Sequence, residues 1–340
     1  MSLRKNTKKY NIAVVGASGM VGRQLLNLLK KRKFPVGEIQ LFNSGKKKVV
    51  INFLNKKHIC KAPTLKELKK SDIVFFVSTE DVSARFAKKL SVEGIYCIDE
   101  TSQFRLEKNI PLIIPEINAK DITPNKKLIS GPNCSLTGAA VAFYEIHKEF
   151  KIKELRISTY QAVSGAGKKA IDQFNKELAA YVKTGKTPNI KSRVFPRAIA
   201  LNLFPEVGAF DKDGYSSEEN KIELELKKIW KAPSLRISST TVRVPVLRGH
   251  ALSVWVKTDK KWTIKKIEKM LLKTKGLKYF KNPYDYPTPL DAPKTLEVMA
   301  SRLRKSKIST KEFQLWIVSD NLYKGAALNT IQIAEHIIKK

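Results

Sequence analysis

The sequence contains little cysteine and no long apolar segment, and both features exclude classes of protein. The three cysteines, Cys60, Cys97 and Cys134, lie far apart and form no C-x-x-C pair, so we expect neither a disulfide framework nor a zinc site. The apolar stretch at residues 12–15 is too short for a secretory signal, and no later run approaches a membrane span. These observations predict a soluble, cytoplasmic protein with reduced thiols and no membrane partner.

Acidic residues are also scarce, since 31 Asp and Glu stand against 65 Lys and Arg and the net charge is +34. Such a charge is typical of proteins that bind nucleic acid, so a nucleic-acid-binding protein that keeps an enzyme fold is one hypothesis. The lysines, however, are dispersed along the whole chain and are not interleaved with aromatic residues in one patch. We therefore predict solvated lysines and no nucleic-acid partner, with a weak attraction for phosphate-bearing ligands.

Near the N-terminus an apolar stretch, a glycine-rich turn and a helical pattern follow one another. The glycines give G-x-x-G-x-x-G between the apolar residues 12–15 and a helical spacing at 24–29. Glycine lets the backbone turn tightly and approach a pyrophosphate at the N-terminus of the helix. The sequence therefore predicts a dinucleotide site that contains Gly16, Ala17, Ser18, Gly19, Met20 and Val21.

The second predicted strand, at residues 39–42, ends without the acidic residue that holds the ribose hydroxyls of NAD in dinucleotide folds. It is followed by a turn with Ser44, Lys46, Lys47 and Lys48, whose chemistry suits the 2′-phosphate of NADP. The alternative for any one of these lysines is a solvated surface turn. We assign Ser44 and Lys46 to the cofactor, which we expect to be NADP.

Further apolar strands are predicted at residues 73–77 and 95–98, with helical patterns between them. This alternation indicates a doubly wound parallel sheet of the α/β class, in which ligands bind at the carboxyl ends of the strands. Ser78 and Thr79 follow the strand at 73–77, so we predict that they contact the cofactor. A chain of 340 residues exceeds the size of a single core, so a second domain is expected.

Cys134 lies in the run SGPNCS, immediately before a helical pattern. The backbone N–H groups of a helix N-terminus favour an anion, so a thiolate at this position is stabilised and becomes a better nucleophile. Asn133 supplies an amide next to the sulfur. The alternative for a free cysteine is a small buried apolar residue, and the motif alone leaves both readings open.

The pattern of apolar and polar residues changes after Cys134, and the new pattern predicts a mixed α+β domain. The predicted elements are a strand at 154–160, a helix at 168–181, a loop at 183–196, a helix at 217–229, antiparallel strands at 236–246 and 251–256, and a terminal helix at 325–340.

Seven motifs occur in the order in which the aspartate-β-semialdehyde dehydrogenases have them: GASGMVG, TSQFR, SGPNCS, STYQAVSGAG, EENK, RVPVLRGH and VSDNLYKGAA. The sequence therefore resembles that family over nearly its whole length. The resemblance implies a Rossmann-type NADP-binding domain at 1–133, a mixed-sheet catalytic and dimerisation domain at 134–320, and a C-terminal helix at 321–340 that packs back on the first domain. It further implies a homodimer or homotetramer that reduces L-aspartyl-β-phosphate with NADPH, releasing phosphate, on the route to lysine, methionine and threonine.

The resemblance also implies roles for particular residues. Cys134 forms the thioester, His250 transfers protons, and Gln161 orients the reacting group. Histidine suits proton transfer because its unperturbed pKa lies near the working pH. The residues that the family places around the substrate and cofactor are Arg105, Asn133 and Lys221 at the phosphate, Arg243 at the α-carboxylate, Glu218 at the α-ammonium, and Ser164, Gly165 and Asn321 at the cofactor. His58, His147 and His336 lie outside these motifs, and His58 with Cys60 is too small a set for a metal site.

The sequence departs from the family at three places, one of which is Ser78-Thr79-Glu80, where a glycine is often found. The turn after the second strand is shorter than in many members and lacks an arginine, and Arg248 replaces a small residue just before Gly249. Related reductases that use a cysteine thioester, such as N-acetylglutamyl-phosphate reductase and glyceraldehyde-phosphate dehydrogenase, are alternatives. Their cysteine contexts differ from PNCS, and neither resembles QAVSGAG followed by EENK, so we favour the first family.

Overall fold

The computed structural model describes residues 8–186 and 194–339. Within this part, the chain divides into two compact units, which we call the first unit (Met1–Pro132 with Ala326–Lys340) and the second unit (Asn133–Gly325). No helix in the described ranges is long and apolar enough to cross a membrane. Residues 187–193, half of the loop predicted at 183–196, lie outside the described residues.

The first unit is built on a parallel sheet, as the alternation of strands and helices predicted. Its elements are β1 (Tyr10–Val15), α1 (Met20–Lys31), β2 (Val36–Phe42), β3 (Val50–Phe53), β4 (Lys56–Ile59), α2 (Leu65–Leu68), β5 (Ile73–Phe76), α3 (Glu80–Val92), β6 (Tyr96–Asp99), α4 (Pro115–Asn118) and β7 (Leu128–Ser130). Five of the strands pair in the order β2-β1-β5-β6-β7, and β3 and β4 form a separate antiparallel hairpin that the apolar pattern did not reveal.

The register of this sheet places its loops at one edge. Val15 at the end of β1 pairs with Phe42 of β2 on one side and with Phe76 of β5 on the other. All four residues of β5 are buried, which is the pattern of a parallel strand covered on both faces. Because the strands end together, the glycine turn, the turn at 43–48 and Ser78 emerge at the same edge of the sheet.

The second unit is a mixed sheet with helices. Its elements are α5 (Cys134–Phe150), β8 (Ile152–Gln161), α6 (Lys168–Thr184), α7 (Ser217–Trp230), β9 (Arg236–Arg243), β10 (His250–Thr258), α8 (Ile264–Lys273), β11 (Leu277–Tyr279), β12 (Val298–Lys305) and β13 (Glu312–Ser319). The strand order is β11-β12-β13-β10-β8-β9. Lys183 and Thr184 were predicted in a loop but belong to α6.

The prediction of antiparallel strands is correct for β10 and wrong for β9. β10 runs antiparallel to both β13 and β8, whereas β9 pairs with β8 in parallel, with Gln161 opposite Arg243. Two helices, α6 and α7, lie between β8 and β9 in the sequence, and such a crossover returns the chain in its original direction. The alternation of side chains does not report strand direction, so the sequence pattern could not distinguish the two cases.

The last helix, α9 (Leu328–Ile338), is shorter than predicted, because a π-helical turn at Tyr323–Ala327 precedes it. It belongs to the first unit, where Glu335 accepts a hydrogen bond from Arg32, the residue that follows α1, at 2.7 Å. The Asn329 amide donates to the carbonyl oxygen of Ile113 at 2.8 Å. The end of the chain is therefore tied to the first unit by polar contacts as well as by apolar packing.

Candidate active site

Cys134 is the first residue of α5, and its side chain is partly exposed. Asn133 caps this helix, since its side-chain oxygen accepts the backbone N–H of Ser135 at 2.8 Å. Ser135 also donates its hydroxyl to the same oxygen at 2.5 Å. A thiolate on Cys134 would face the positive end of the α5 dipole, which favours the anionic form of the sulfur.

His250 is the first residue of β10, is fully buried, and lies next to the sulfur. Its Nε2 atom is 3.5 Å from Sγ of Cys134, and its Nδ1 atom accepts the backbone N–H of Ala162 at 3.0 Å. Because Nδ1 uses its lone pair in that bond, the proton of the neutral ring is on Nε2. His250 therefore presents an N–H donor to the sulfur.

The electrostatic surroundings of His250 differ from the expectation of a pKa close to the working pH. Burial, with the positive charge of Arg243 as a second cause, lowers the pKa of His250 to about 3. The ring is therefore neutral near pH 7. This neutral state agrees with the hydrogen bond from Ala162, which an imidazolium could not accept.

Glu218 of α7 joins three side chains at the site. Its carboxyl group accepts hydrogen bonds from Asn133 Nδ2 at 2.9 Å and Gln161 Nε2 at 3.2 Å. It also lies 3.1 Å from Ser135 Oγ, whose one proton is shared between Glu218 and the closer Asn133 oxygen. The side chain is buried and is held near the N-terminus of α5. Glu218 therefore organises Asn133 and Gln161, while its predicted contact with a substrate ammonium stays a prediction.

Arg243, the last residue of β9, is buried beside these groups. Its Nη1 donates to the carbonyl oxygen of Ala162 at 2.8 Å, and its guanidinium carbon lies 5.7 Å from the ring centroid of Phe195. Burial lowers the pKa of Arg243, and the Glu218 carboxylate opposes that shift. Gly165 has no side chain to collide with it, since a Cβ there would lie 2.9 Å from Nη1.

Two of the residues predicted to bind phosphate are not part of this cluster of contacts. Lys221 is half-buried on α7, and among the described residues its ammonium group forms no ion pair or hydrogen bond. Arg105 belongs to the first unit, where its Nη2 donates to the carbonyl oxygen of Glu100 at 2.7 Å. The second unit thus brings together Cys134, His250, Gln161, Asn133, Glu218 and Arg243.

The first unit offers a cradle that fits a dinucleotide. Gly16 has φ +95°, and a Cβ on it would lie 2.3 Å from the carbonyl oxygen of Val77, so only glycine is compatible with this turn. Gly19 precedes α1, whose first turn has no side-chain cap and so leaves its N–H groups for an anion. Ser78 Oγ is buried and has no hydrogen-bond partner among the described residues. These features fit a phosphate-bearing cofactor.

The other predicted cofactor residues belong to this glycine turn, the start of α1 and the N-cap of α3: Ala17, Ser18, Met20, Val21 and Thr79.

The turn at 43–48 is exposed and is shaped by its own side chains. Asn43 accepts the backbone N–H of Gly45 at 2.8 Å, and Ser44 accepts that of Lys46 at 3.4 Å. Lys46 is exposed, as a group that meets an external anion would be. The turn follows β2 directly and therefore lies at the edge of the sheet that also carries Gly16.

In the second unit, the predicted cofactor residue Asn321 links two loops. Its Oδ1 accepts the backbone N–H of Gly249 at 3.0 Å, and its Nδ2 donates to Ser164 Oγ at 2.9 Å. Next to it, Asp320 forms an ion pair with Arg248 at 2.7 Å, and Arg248 stacks over the Tyr323 ring at 4.5 Å. The larger Arg248 thus ties the loop before His250 to the turn that carries Asn321.

Three positions at the site were not found from the sequence. Glu225 is buried on α7 and accepts the backbone N–H of Asn133 at 2.6 Å. Ala162 holds both His250 and Arg243 through its backbone. Gly325 packs on Cys134, since a Cβ there would lie 2.7 Å from its Cβ. Only Gly325 carried a signal, because glycine in the motif YKGAA indicates a close approach of two backbones.

Known proteins resemble the chain over its whole length. The family models "Semialdehyde dehydrogenase, NAD binding domain" and "Semialdehyde dehydrogenase, dimerisation domain" match residues 11–124 and 145–324. Aspartate-semialdehyde dehydrogenase of Rickettsia bellii is 41% identical, covering 98% of this chain and 99% of the relative. The enzyme of Aquifex aeolicus is 37% identical, covering 97% and 98%.

Solved structures of aspartate semialdehyde dehydrogenases are similar to this chain in fold and in sequence. The crystal structure of aspartate semialdehyde dehydrogenase II from Vibrio cholerae has a TM-score of 0.93 and 34% identity, and covers 98% of this chain and 99% of that chain. The structure of aspartate semialdehyde dehydrogenase II from the same organism complexed with ASA has a TM-score of 0.92 and the same identity and coverage.

Proposed function

The chain belongs to the aspartate-semialdehyde dehydrogenase family, and we propose that Cys134 and His250 carry its reaction. The activity is that of an NADP-dependent oxidoreductase acting on an aldehyde. In the biosynthetic direction, L-aspartyl-β-phosphate is reduced to L-aspartate-β-semialdehyde and phosphate, on the route to lysine, methionine and threonine. The observation that carries the proposal is the 3.5 Å distance between Sγ of Cys134 and Nε2 of His250 at the start of α5.

In the first step, Sγ of Cys134 attacks the acyl carbon of the substrate. A carbon–sulfur bond forms, the bond from carbon to the phosphate oxygen breaks, and phosphate leaves with the bonding pair. The product on the protein is a thioester. The start of α5 and the Nε2–H of His250 favour the thiolate that makes this attack.

In the second step, the thioester carbonyl carbon becomes an aldehyde. NADPH supplies the hydride when it is bound. The oxygen of the resulting thiohemiacetal then re-forms its double bond to carbon, which expels the sulfur of Cys134 as a thiolate. The Nε2–H of His250 would donate a hydrogen bond to that departing sulfur, and Gln161 would orient the reacting group.

The charged residues of the second unit would select the substrate. Arg243 has a planar guanidinium that suits the α-carboxylate, and Glu218 would accept the α-ammonium in addition to its present donors. Asn133, Lys221 and Arg105 are our candidates for the phosphate. Ser164, Gly165 and Asn321 are our candidates for further contacts with NADP.

The organisation of the protein is also part of the proposal. We assign cofactor binding to 1–133 with the helix at 321–340, and catalysis and dimerisation to 134–320. Exposed apolar side chains of the second unit, among them Leu201, Leu203 and Phe210, support a homodimer or homotetramer. A cytoplasmic location is supported by the three free cysteines. Light scattering coupled to gel filtration would give the oligomeric state.

The decisive experiment measures phosphate-dependent reduction of NADP by L-aspartate-β-semialdehyde. The wild-type protein is compared with Cys134→Ala and with Cys60→Ala, which removes a buried thiol of the first unit. We expect activity in the wild type and in Cys60→Ala, and none in Cys134→Ala. Retention of activity by folded Cys134→Ala would exclude the nucleophile, and inactivity of the folded wild type with both NADP and NAD would exclude the activity.

A further inference from the structure

Arg23 occupies a distinctive place beside the glycine turn. It follows Gly22 on α1, its side chain is exposed, and its Nε donates to the carbonyl oxygen of Ser18 at 3.2 Å. No other hydrogen bond or ion pair of this guanidinium is present in residues 8–186 and 194–339. Its terminal amino groups are therefore held near the turn and are open to an external anion.

The turn that holds this guanidinium is bound to the end of β2. The glycine turn is bound to that strand, since the N–H groups of Gly16 and Ala17 both donate to the carbonyl oxygen of Phe42 at 3.0 Å. On the other side, the N–H of Asn43 donates to the carbonyl oxygen of Lys61 at 2.9 Å. Burial raises the pKa of the neighbouring Cys60 thiol, and the charge of Arg23 opposes that rise, so the two groups are near each other.

The surroundings of Arg23 are positive. It lines a cavity of about 650 Å³ between α1 and the β3–β4 hairpin, together with Lys30 and Lys57. None of the side chains that line this cavity is acidic. An anion close to Arg23 would therefore meet a positive potential without a competing carboxylate.

We propose that Arg23 recognises the 2′-phosphate of NADP and thereby sets the preference of this protein for NADP over NAD. The inference rests on the proposed function and specifies how its cofactor is chosen. In dinucleotide folds, the group at the end of the second strand distinguishes the two cofactors, and a nearby arginine accommodates the 2′-phosphate. The turn at 43–48 contains no arginine, and α1 supplies one from the neighbouring element.

The chemistry of the side chain supports arginine over the lysines of the turn. A guanidinium can bind a phosphate through two parallel N–H donors, whereas an ammonium acts as a hydrated point charge. The bond from Nε to Ser18 limits the freedom of Arg23, so less entropy is lost when phosphate binds. Lys46 would add a second charge from the turn.

Isothermal titration calorimetry on the full chain tests this assignment without relying on turnover. Wild type, Arg23→Ala and Arg23→Lys are titrated with NADP and NAD, and with adenosine 2′,5′-bisphosphate and 5′-AMP. Lys30→Ala is the matched control, because it removes a positive charge from the same face of α1 and the same cavity. The Ala variant at position 23 should bind NADP and the bisphosphate about 10- to 100-fold more weakly, with NAD and 5′-AMP unchanged. The affinity of Arg23→Lys for NADP should lie between those of wild type and Arg23→Ala. Lys30→Ala should bind NADP with the affinity of wild type.

Three results for the variants would overturn the inference. These are an equal loss of affinity for NADP and NAD in Arg23→Ala, no loss at all, or a loss of the same size in Lys30→Ala. A wild type that binds both dinucleotides equally would also overturn it, while aldehyde oxidation with either cofactor would leave the proposed activity standing. A folded wild type that binds neither dinucleotide would instead contradict the proposed function.

Discussion

The carboxyl group of Glu225 accepts the backbone N–H of Asn133 at 2.6 Å, one residue before Cys134. The side chain is only 1% exposed, so this hydrogen bond lies inside the protein. Together with Glu218, which binds the side-chain amide of Asn133, it holds that residue at two points. The start of α5, and with it Sγ of Cys134, is thus positioned from α7.

Replacement of Glu225 should reduce activity through position. In Glu225→Ala the buried N–H of Asn133 loses its acceptor, and we expect kcat/KM to fall about 100-fold, the cost of displacing a reacting atom by about an ångström. Glu225→Gln keeps an acceptor oxygen of the same shape and should stay within about fivefold of wild type. Steady-state kinetics with circular dichroism as a check of folding make the comparison. Equal losses in the two folded variants would contradict a positioning role.

Gly325→Ala should disturb the nucleophile directly. The added methyl group would lie 2.7 Å from Cβ and 3.1 Å from Cα of Cys134, so backbone must move. We expect kcat to fall about 100-fold with a smaller change in KM. Gly185→Ala, where a Cβ meets nothing within 4 Å although φ is +69°, is a comparison for the general effect of adding a methyl group. Normal kcat in a folded Gly325→Ala protein would show that the packing tolerates the change.

His250 should act on Cys134 as a neutral hydrogen-bond donor. Because its pKa is lowered to about 3, the rate of Cys134 alkylation by iodoacetamide should show no histidine inflection between pH 5 and 8. His250→Ala removes the N–H donor, so the pH midpoint of alkylation should move upward, and His250→Gln, which retains an N–H donor, should move it less. Mass spectrometry would locate the label, because Cys60 and Cys97 are buried and their pKa values are raised. An inflection near pH 6.5 in wild type would contradict this description.

The buried carboxyl group of Asp99 should make the first unit less stable as pH rises above about 6. It is fully buried, and burial raises its pKa to about 6 although Thr101 donates two hydrogen bonds to it. Because the folded pKa lies above the unfolded value of 3.8, the protonated carboxyl group of Asp99 favours the folded state at low pH. This contribution to the free energy of unfolding is lost as pH rises through about 6. Asp99→Asn removes the titration, keeps one acceptor oxygen for the backbone N–H of Thr101, and can donate its amide to the Thr101 hydroxyl. It should therefore gain up to about 3 kcal/mol at pH 8 relative to pH 4.

Urea unfolding at the two pH values measures this gain, with Asp213→Asn as the exposed control. The control should change the free energy of unfolding by about 0.5 kcal/mol or less at both values. If the advantage of Asp99→Asn over wild type does not grow with pH, the carboxyl group is not destabilised in the folded state.

Features that depend on neighbours in the chain were predictable. The glycine turn before α1 and the position of Cys134 at the start of α5 follow from residues within one helical turn, and both were predicted. The orientation of β9 was not, since it depends on the crossover through α6 and α7. The β3–β4 hairpin was missed because its turn, Leu54 and Asn55 at positive φ, contains no glycine.

The amino-acid sequence alone was sufficient for the family, the parallel sheet of the first unit and the identity of the candidate nucleophile, because motif order and local periodicity are written along the chain. It was not sufficient to predict the hydrogen bonds and the protonation of the groups around Cys134. His250 is 116 residues from Cys134, and Glu225 is 92 residues from Asn133. The proton position on His250, its lowered pKa and the hold of Glu225 on α5 arise from burial and from contacts between distant segments, and these exist only once the chain has folded.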